Sequence, residues 1–246
     1  MNWLEPNAPA YRFYNNELVE IHLEKSLNKV TLLGLNDEEA LVRKNVELLL
    51  AKKPALNMLL WGEKGGGKST LVRILARDYA GRGLRVIEFC DTNFYNIYNL
   101  YAFMRGAQHY SFLLYFDDVS FNENDSRYRN FKSIVEGGLE SKPSNCLFVA
   151  TSNRRHLVAE RAADTNDIYN RDDQNELSSL YARFGLTVGF YPLGQDLYLE
   201  IVRHYLEKNG LNLNEGWENK AEAFALERGG RSGRVAEQFA IYSRLI

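Results

Sequence analysis

The sequence has little of what would mark a specialised class of protein. Only two cysteines, Cys90 and Cys146, occur among 246 residues, so no disulfide framework is indicated. Each lies in an apolar run that predicts a strand, and we expect both to be buried core thiols. No internal repeat or low-complexity tract is found. The composition, 45% hydrophobic and 25% charged, is instead that of an ordinary globular protein.

Long apolar runs and a strong net charge are also lacking. No stretch of about eighteen apolar residues occurs, which predicts no membrane span, and residues 1–20 lack the pattern of a signal peptide. We therefore expect a cytoplasmic protein without membrane contact. The net charge of −2 gives no global attraction to nucleic acid. Arg154, Arg155 and Arg161 are candidates for a local nucleic-acid contact, although few aromatic residues lie among them.

The most informative segment that is present is rich in glycine and fits the pattern G-x-x-x-x-G-K-[ST]. Its glycines let successive backbone N–H groups curl around a phosphate, Lys68 adds positive charge, and the Ser69 hydroxyl can ligate Mg²⁺. Residues 57–61 predict a buried strand before the segment, and residues 69–77 predict a helix after it, whose N-terminus would face the anion. The predicted nucleotide-binding residues are Gly62, Glu63, Lys64, Gly65, Gly66, Gly67, Lys68, Ser69 and Thr70.

Strands and helices alternate on either side of this phosphate loop. Further apolar runs predict strands at residues 84–90, 112–116, 146–150 and 186–191, with helical patterns between them. Strands that are separated by helices predict a parallel sheet with helices on both faces. The expected fold class is therefore α/β, with a five-stranded sheet in a three-layer αβα sandwich.

The two ends of the chain differ from this core. Residues 1–29 are predicted to be an N-terminal extension with a helical stretch near 18–27, and residues 30–191 to be the nucleotide-binding core. From residue 192 to 246 the strand signals stop, which predicts a small helical lid subdomain. Its three predicted helices cover residues 197–207, 217–227 and 235–245.

Two aspartates follow the third strand of the core directly. If this strand neighbours the strand before the phosphate loop, Asp117 lies beside the loop and can hold Mg²⁺ together with Ser69. Asp118 can then accept a proton from an attacking water. The alternative interpretation is a strand that simply ends in two solvated polar residues.

With these motifs the chain resembles the AAA+ ATPases, from about residue 30 onward. In that family a polar residue after the fourth strand orients the attacking water and touches the γ-phosphate, and Asn153 matches it. The segment before the fifth strand resembles the one that carries an arginine finger for a neighbouring subunit's nucleotide, with Arg183 as the match. Arg234 matches the arginine that approaches the phosphates within one chain, and residues 33–35 match a turn that often holds adenine.

Three stretches resemble, in particular, a bacterial group of predicted AAA+ ATPases catalogued as a domain of unknown function. They are residues 117–121, 136–140 and 150–156. Some assignments stay open at this point. Arg154 and Arg155 are alternative candidates for the finger, or solvated charges, and Arg183 and Arg234 could instead be surface charges.

The resemblance implies a Mg²⁺-dependent ATPase that remodels or loads a macromolecular partner. Its cofactors would be ATP and Mg²⁺, and it would act as a homo-oligomer or with a protein partner that supplies an arginine in trans.

The acidic pair departs from the pattern of most AAA+ motors, which have Asp-Glu where this chain has Asp117 and Asp118. Because aspartate is one methylene shorter, the carboxylate of Asp118 lies ~1.5 Å further back than that of a glutamate would. Helicase loaders and transposition helper ATPases look like Asp-Asp proteins. The alternative is therefore an ATP-gated switch with slow hydrolysis, and a small-molecule kinase ranks third because no acceptor-binding motif is found.

Overall fold

The computed structural model describes residues 7–23, 32–121, 126–137, 139–153, 182–211 and 215–245. The strands in these ranges are β1 Ala10–Tyr14, β2 Glu17–Glu20, β3 Met58–Gly62, β4 Leu84–Phe89, β5 Ser111–Phe116, β6 Cys146–Ser152 and β7 Leu186–Phe190. The α-helices are α1 Asn36–Leu50, α2 Lys68–Tyr79, α3 Ile97–Gly106, α4 Ser126–Glu136, α5 Gln195–Lys208, α6 Trp217–Glu227 and α7 Gly233–Tyr242.

The strands form one sheet in the order β2-β1-β4-β5-β6-β3-β7. Every neighbouring pair is parallel except β1 with β2. The five predicted strands are β3 to β7, and they lie side by side in the parallel part of the sheet. The predicted α/β fold is therefore confirmed, and the helical C-terminal part is present as well.

The sheet is wider than predicted because the N-terminal part of the chain forms a hairpin. β1 adds to the sheet in parallel with β4, and β2 folds back along the outer side of β1. Asn15 and Asn16 form the turn with φ angles of 49° and 60°, the left-handed values that a two-residue type I′ turn requires. The helical stretch predicted near 18–27 is wrong at its start, because Leu18 to Glu20 belong to β2. Residues 24–27 lie outside the described residues.

Each face of the sheet carries its own buried apolar layer. α1 and α2 cover the face that includes Leu113 and Val149, whereas α3 and α4 cover the face that includes Leu114 and Phe148. Successive residues of a strand point to opposite faces, so an unbroken apolar run is what a strand covered on both sides needs. β5 is buried along its whole length, as its apolar sequence predicts.

The C-terminal helices build a third apolar cluster of their own. α5, α6 and α7 contribute fully buried residues such as Tyr198, Val202, Ala221 and Ala236. None of the helices in the described ranges is long and apolar enough to cross a membrane.

The prediction that both cysteines are buried core thiols is correct for one of them and wrong for the other. Cys146 is buried at the start of β6, as expected for a core thiol. Cys90 is exposed, so its placement in the core was wrong. The reason is that β4 ends at Phe89, and Cys90 follows it at the rim of the sheet.

Candidate nucleotide-binding site

The predicted phosphate loop connects β3 to α2 at the carboxyl edge of the sheet. Its path depends on glycine at two positions in particular. Gly62 has a φ of 129°, and a Cβ there would lie 1.9 Å from the Phe190 carbonyl oxygen of β7. Gly65 has a φ of 75°, in the left-handed region that other residues rarely adopt. The Glu63 amide donates to the Phe190 carbonyl at 2.9 Å, which fixes the start of the loop to the sheet.

Lys68 is the first residue of α2, and it folds back across the loop. Its Nζ donates to the carbonyl oxygens of Gly62 at 2.7 Å and Glu63 at 2.8 Å, and to Asn153 Oδ1 at 3.2 Å. Burial lowers the pKa of Lys68, and the negative charge of Asp118 partly opposes this shift. The ammonium group is thus held on the inner side of the loop, close to the acidic pair.

Asp117 meets the start of α2 although its strand is not the neighbour of β3. β6 lies between β3 and β5, so the adjacency assumed from the sequence was wrong. The Ser69 hydroxyl nevertheless donates to Asp117 Oδ1 at 3.0 Å. The contact forms because α2 packs across this face in the same buried layer as residues of β5 and β6. A hydroxyl and a carboxylate in contact are the oxygen ligands that Mg²⁺ prefers, so these residues fit the ion.

Two hydroxyls from within the sheet also donate to Asp117 Oδ1, and the sequence reasoning missed both. They belong to Tyr115, on the same strand, and to Thr151 of β6, whose Oγ1 is 2.7 Å away. Burial would raise the pKa of Asp117, but the hydrogen bonds from Tyr115, Thr151 and Ser69 outweigh it, and the pKa is lowered. The carboxylate is therefore ionised at neutral pH. A tyrosine in an otherwise apolar buried strand was the sequence signal that could have revealed this network.

Asp118 is oriented by a second set of contacts at the same edge. Its φ of 47° is left-handed, a conformation that aspartate tolerates better than most residues. The Asp118 amide donates to Thr151 Oγ1 at 2.9 Å, and Asn153 Nδ2 donates to the Asp118 carboxylate. Asn153 follows β6 directly and also accepts from Lys68. Its amide group therefore links the lysine of the loop to the second aspartate.

The helical C-terminal part reaches the loop through the start of α7. Ser232 caps this helix by accepting from the Val235 amide at 3.2 Å. A Cβ at Gly65 would lie 2.8 Å from Ser232 Oγ and 3.0 Å from Arg234 Cβ, so loop and helix are in close contact. The charge of Arg234 also contributes to lowering the pKa of Lys68, after burial. Arg234 is thus close to the phosphate loop, where the family resemblance would place it.

These groups line one cavity of about 410 Å³. The lining includes polar groups of residues 64–70, both aspartates, Asn153 and Arg234. It also includes mostly apolar side chains from residues 32–35 and from the C-terminal part: Leu32, Leu33, Leu35, Leu193, Ile201 and Tyr205. The size is that of a small-molecule site, and a lining with both charged and apolar groups suits a nucleotide, which has phosphates and a base.

Arg183 is not brought to this cavity. It is exposed and precedes β7, whose first residue Leu186 pairs with Met58 at the amino end of β3. The phosphate loop follows the opposite end of β3, so one strand length, about 15 Å, separates the two levels of the sheet. The other finger candidates, Arg154 and Arg155, lie outside the described residues.

Comparison with known families gives one match, over almost the whole chain. The family described as "Protein of unknown function (DUF815)" matches residues 6–244. The chain belongs to this family. No curated protein matches the chain.

The chain is similar in fold to solved structures of RuvB from Thermotoga maritima. One, titled as a Holliday junction branch migration motor, has a TM-score of 0.58 at 16% identity over 86% of this chain and 62% of that one. A single-residue mutant of the same protein gives 0.58 at 17% identity, over 90% and 65%. The chain thus spans less than two thirds of either structure. At such identities the likeness shows the fold alone, which this chain shares with the RuvB structures.

Proposed function

We propose that this DUF815 protein binds ATP with Mg²⁺, hydrolyses it, and uses the cycle to remodel or load a macromolecular partner. The observation that carries the proposal is the convergence of Lys68, Asp117, Asn153 and Arg234 on one cavity. These side chains come from α2, from the residues that directly follow β5 and β6, and from α7, which are far apart in sequence. A glycine turn without a ligand would not require all four to meet.

Each polar group that lines the cavity has a distinct role in this proposal. The loop amides, Lys68 and Arg234 hold the phosphates, and the longest Lys68 bond, at 3.2 Å to Asn153, is the one we expect a phosphate to replace. Ser69 and Asp117 would hold Mg²⁺, which would supply positive charge to neutralise the phosphates. Asp118, oriented by Asn153, accepts the proton of the attacking water.

The chain is proposed to comprise three segments: residues 1–29 as an N-terminal extension whose β1 and β2 widen the sheet of the core, 30–191 as the core and 192–246 as a lid. The cavity is lined from both the core and the lid, since α7 contacts the phosphate loop. Nucleotide in the cavity would therefore hold the lid against the core. We expect the protein to act in the cytoplasm.

A second copy of the chain is proposed to complete the site. Arg183 is exposed at the level of the sheet opposite to the loop, so it is better placed for a neighbouring subunit's nucleotide than for its own. A homo-oligomer would supply this arginine, and so could a partner protein. RuvB is described as a Holliday junction branch migration motor. Nucleic acid as the partner here would rest on Arg154, Arg155 and Arg161 alone, which lie outside the described residues.

The test is phosphate release from MgATP by the purified chain. Lys68→Ala should abolish turnover, because the ammonium is the positive charge at the centre of the loop. Lys44→Ala removes an exposed lysine from α1, away from the cavity, and should leave turnover unchanged. Equal turnover by Lys68→Ala and the unaltered protein would contradict the proposal.

An ATP-gated switch with slow hydrolysis is the second candidate. The observation that favours it is that Arg234 approaches the loop within one chain, whereas Arg183 does not, so a single chain would hold ATP better than it would hydrolyse it. This candidate predicts a partner that is bound in ATP and released in ADP. Capture of the same partners in both nucleotides would count against it.

A further inference from the structure

A buried tyrosine interrupts the apolar strand that leads to the acidic pair. Tyr115 is 7% exposed and stands between Leu114 and Phe116 in β5. A hydroxyl in such a layer costs free energy unless it is hydrogen-bonded. The Tyr115 hydroxyl has its partners at the site, in Asp117 and in Thr151, which is 1% exposed. Phenylalanine would fill the same space, so the hydroxyl is what distinguishes this position.

Three hydroxyls share a single carboxylate oxygen. Asp117 Oδ1 accepts from Ser69, Tyr115 and Thr151. Ser69 is proposed to ligate Mg²⁺, and its hydroxyl would then turn towards the metal. Tyr115 and Thr151 lie in the sheet and are not proposed to ligate the metal. Their hydrogen bonds can therefore hold the Asp117 carboxylate in place when the metal binds.

Thr151 connects the hydrogen bonds around Asp117 to the second aspartate, Asp118. Its Oγ1 donates to Asp117 at 2.7 Å and accepts from the Asp118 amide at 2.9 Å. The Thr151 carbonyl accepts from the Val119 amide at 2.7 Å, which anchors the chain after the pair. Thr151 thus contacts both aspartates, through the carboxylate of Asp117 and the backbone amide of Asp118.

We propose that Tyr115 and Thr151 are positioning residues that orient Asp117 for Mg²⁺ and thereby couple the metal to nucleotide binding. The inference rests on the proposed function, since it concerns the same site. Outer partners of metal ligands typically change metal affinity or activity by roughly 10–100-fold when they are lost. Tyr115 does not line the cavity, whereas Thr151 does. Both are proposed to act through Asp117, to which their hydroxyls donate.

The experiment measures how much Mg²⁺ strengthens the binding of a fluorescent, non-hydrolysable ATP analogue to the full chain. Tyr115→Phe should reduce this strengthening roughly tenfold while affinity without Mg²⁺ stays the same. Thr151→Val should act similarly, and Thr151→Ser, which keeps the hydroxyl, should restore the effect of Mg²⁺. Tyr198→Phe is the matched control, because it removes a buried hydroxyl that donates to the Ala221 carbonyl at 3.0 Å and lies within the helical part.

The outcomes separate this inference from the proposed function. If the unaltered chain binds the analogue and Tyr115→Phe only lowers the melting temperature, with Mg²⁺ strengthening binding as before, Tyr115 is structural and the inference is overturned. If the unaltered chain binds no analogue, the proposed function fails and the inference with it. Should Tyr115→Phe not fold, the contrast between Thr151→Val and Thr151→Ser decides, and equal Mg²⁺ dependence in these two variants overturns the inference.

Discussion

The carboxyl and amino ends of the parallel strands differ in which residues they provide for the proposed ATP hydrolysis. At the carboxyl end, Lys68, Asp117, Asn153 and Arg234 line one cavity. At the amino end, Arg183 stands exposed before β7. Arg183 was predicted to act on a neighbouring subunit's nucleotide, and only the residues at the carboxyl end line a cavity within one chain.

This difference suggests that holding ATP and cleaving it depend on different parts of the molecule. Holding needs charge and backbone amides around the phosphates, and the carboxyl end provides them. Cleavage needs extra positive charge in the transition state, which an arginine can supply from outside. If Arg183 provides it, the reaction requires a second chain, whereas binding does not.

The largest expected effect is on turnover, when the arginine at the amino end is removed. Arg183→Ala should lower ATP turnover by about 10³-fold or more, the usual contribution of an arginine finger, with ATP affinity unchanged. Mixing it with Lys68→Ala should restore part of the activity, because an intact loop then meets an intact arginine. Failure of the mixture to recover activity would exclude Arg183 as a finger acting in trans.

The second effect concerns the proton acceptor at the carboxyl end. Asp118→Asn keeps the size of the side chain but removes its basicity, and should lower turnover by about 10²-fold or more. ATP affinity, measured by equilibrium binding, should stay close to that of the unaltered chain. Normal turnover in this variant would show that another group accepts the proton.

A smaller effect is expected at the start of α7. Arg234→Ala should weaken ATP binding by about tenfold, since it removes one charged partner of the phosphates. Arg228→Ala provides the control, because Arg228 belongs to the same helical part but lies over the Phe224 ring, outside the residues that line the cavity. An equal loss in both variants would indicate a general effect on the helical part rather than a contact with phosphate.

The smallest effect compares one glycine from each end of the sheet. An added Cβ would lie 2.8 Å from a side-chain atom at both Gly65 and Gly185, but only Gly65 has a positive φ. Gly65→Ala should cost about 1–2 kcal/mol of stability in thermal melting, and should also weaken nucleotide binding. The added Cβ of Gly185→Ala would meet only the side chain of Leu56, so this variant should leave nucleotide binding unchanged. Equal nucleotide affinity in both variants would contradict the close contact of loop and lid.

Much of the fold could be predicted because the core strands are short and largely buried, so that apolar residues dominate their sequences. β3 to β7 and the three C-terminal helices follow from such runs and from helical spacing. The hairpin at the N-terminus was missed, because residues 18–27 hold apolar side chains at both helical and alternating spacing. The turn signal at Asn15 and Asn16 would have decided between these two patterns.

The site was predictable as a set of residues but not as an arrangement. The phosphate loop and the acidic pair have local sequence patterns, whereas the position of β6 between β3 and β5 depends on the order of strands in the sheet. Tyr115 and Thr151 were missed for a related reason. An apolar run in the sequence predicts that a tyrosine within it is buried, but only the folded sheet shows where its hydroxyl points.

The most direct test of this division between holding and cleaving is the mass of the protein in solution, with and without a non-hydrolysable ATP analogue and Mg²⁺. We predict that the analogue converts 28.3 kDa chains into an assembly of several copies, since each nucleotide would be contacted by a neighbour's Arg183. A chain that binds the analogue to saturation yet keeps the mass of a monomer would contradict the assignment of that arginine to a second copy.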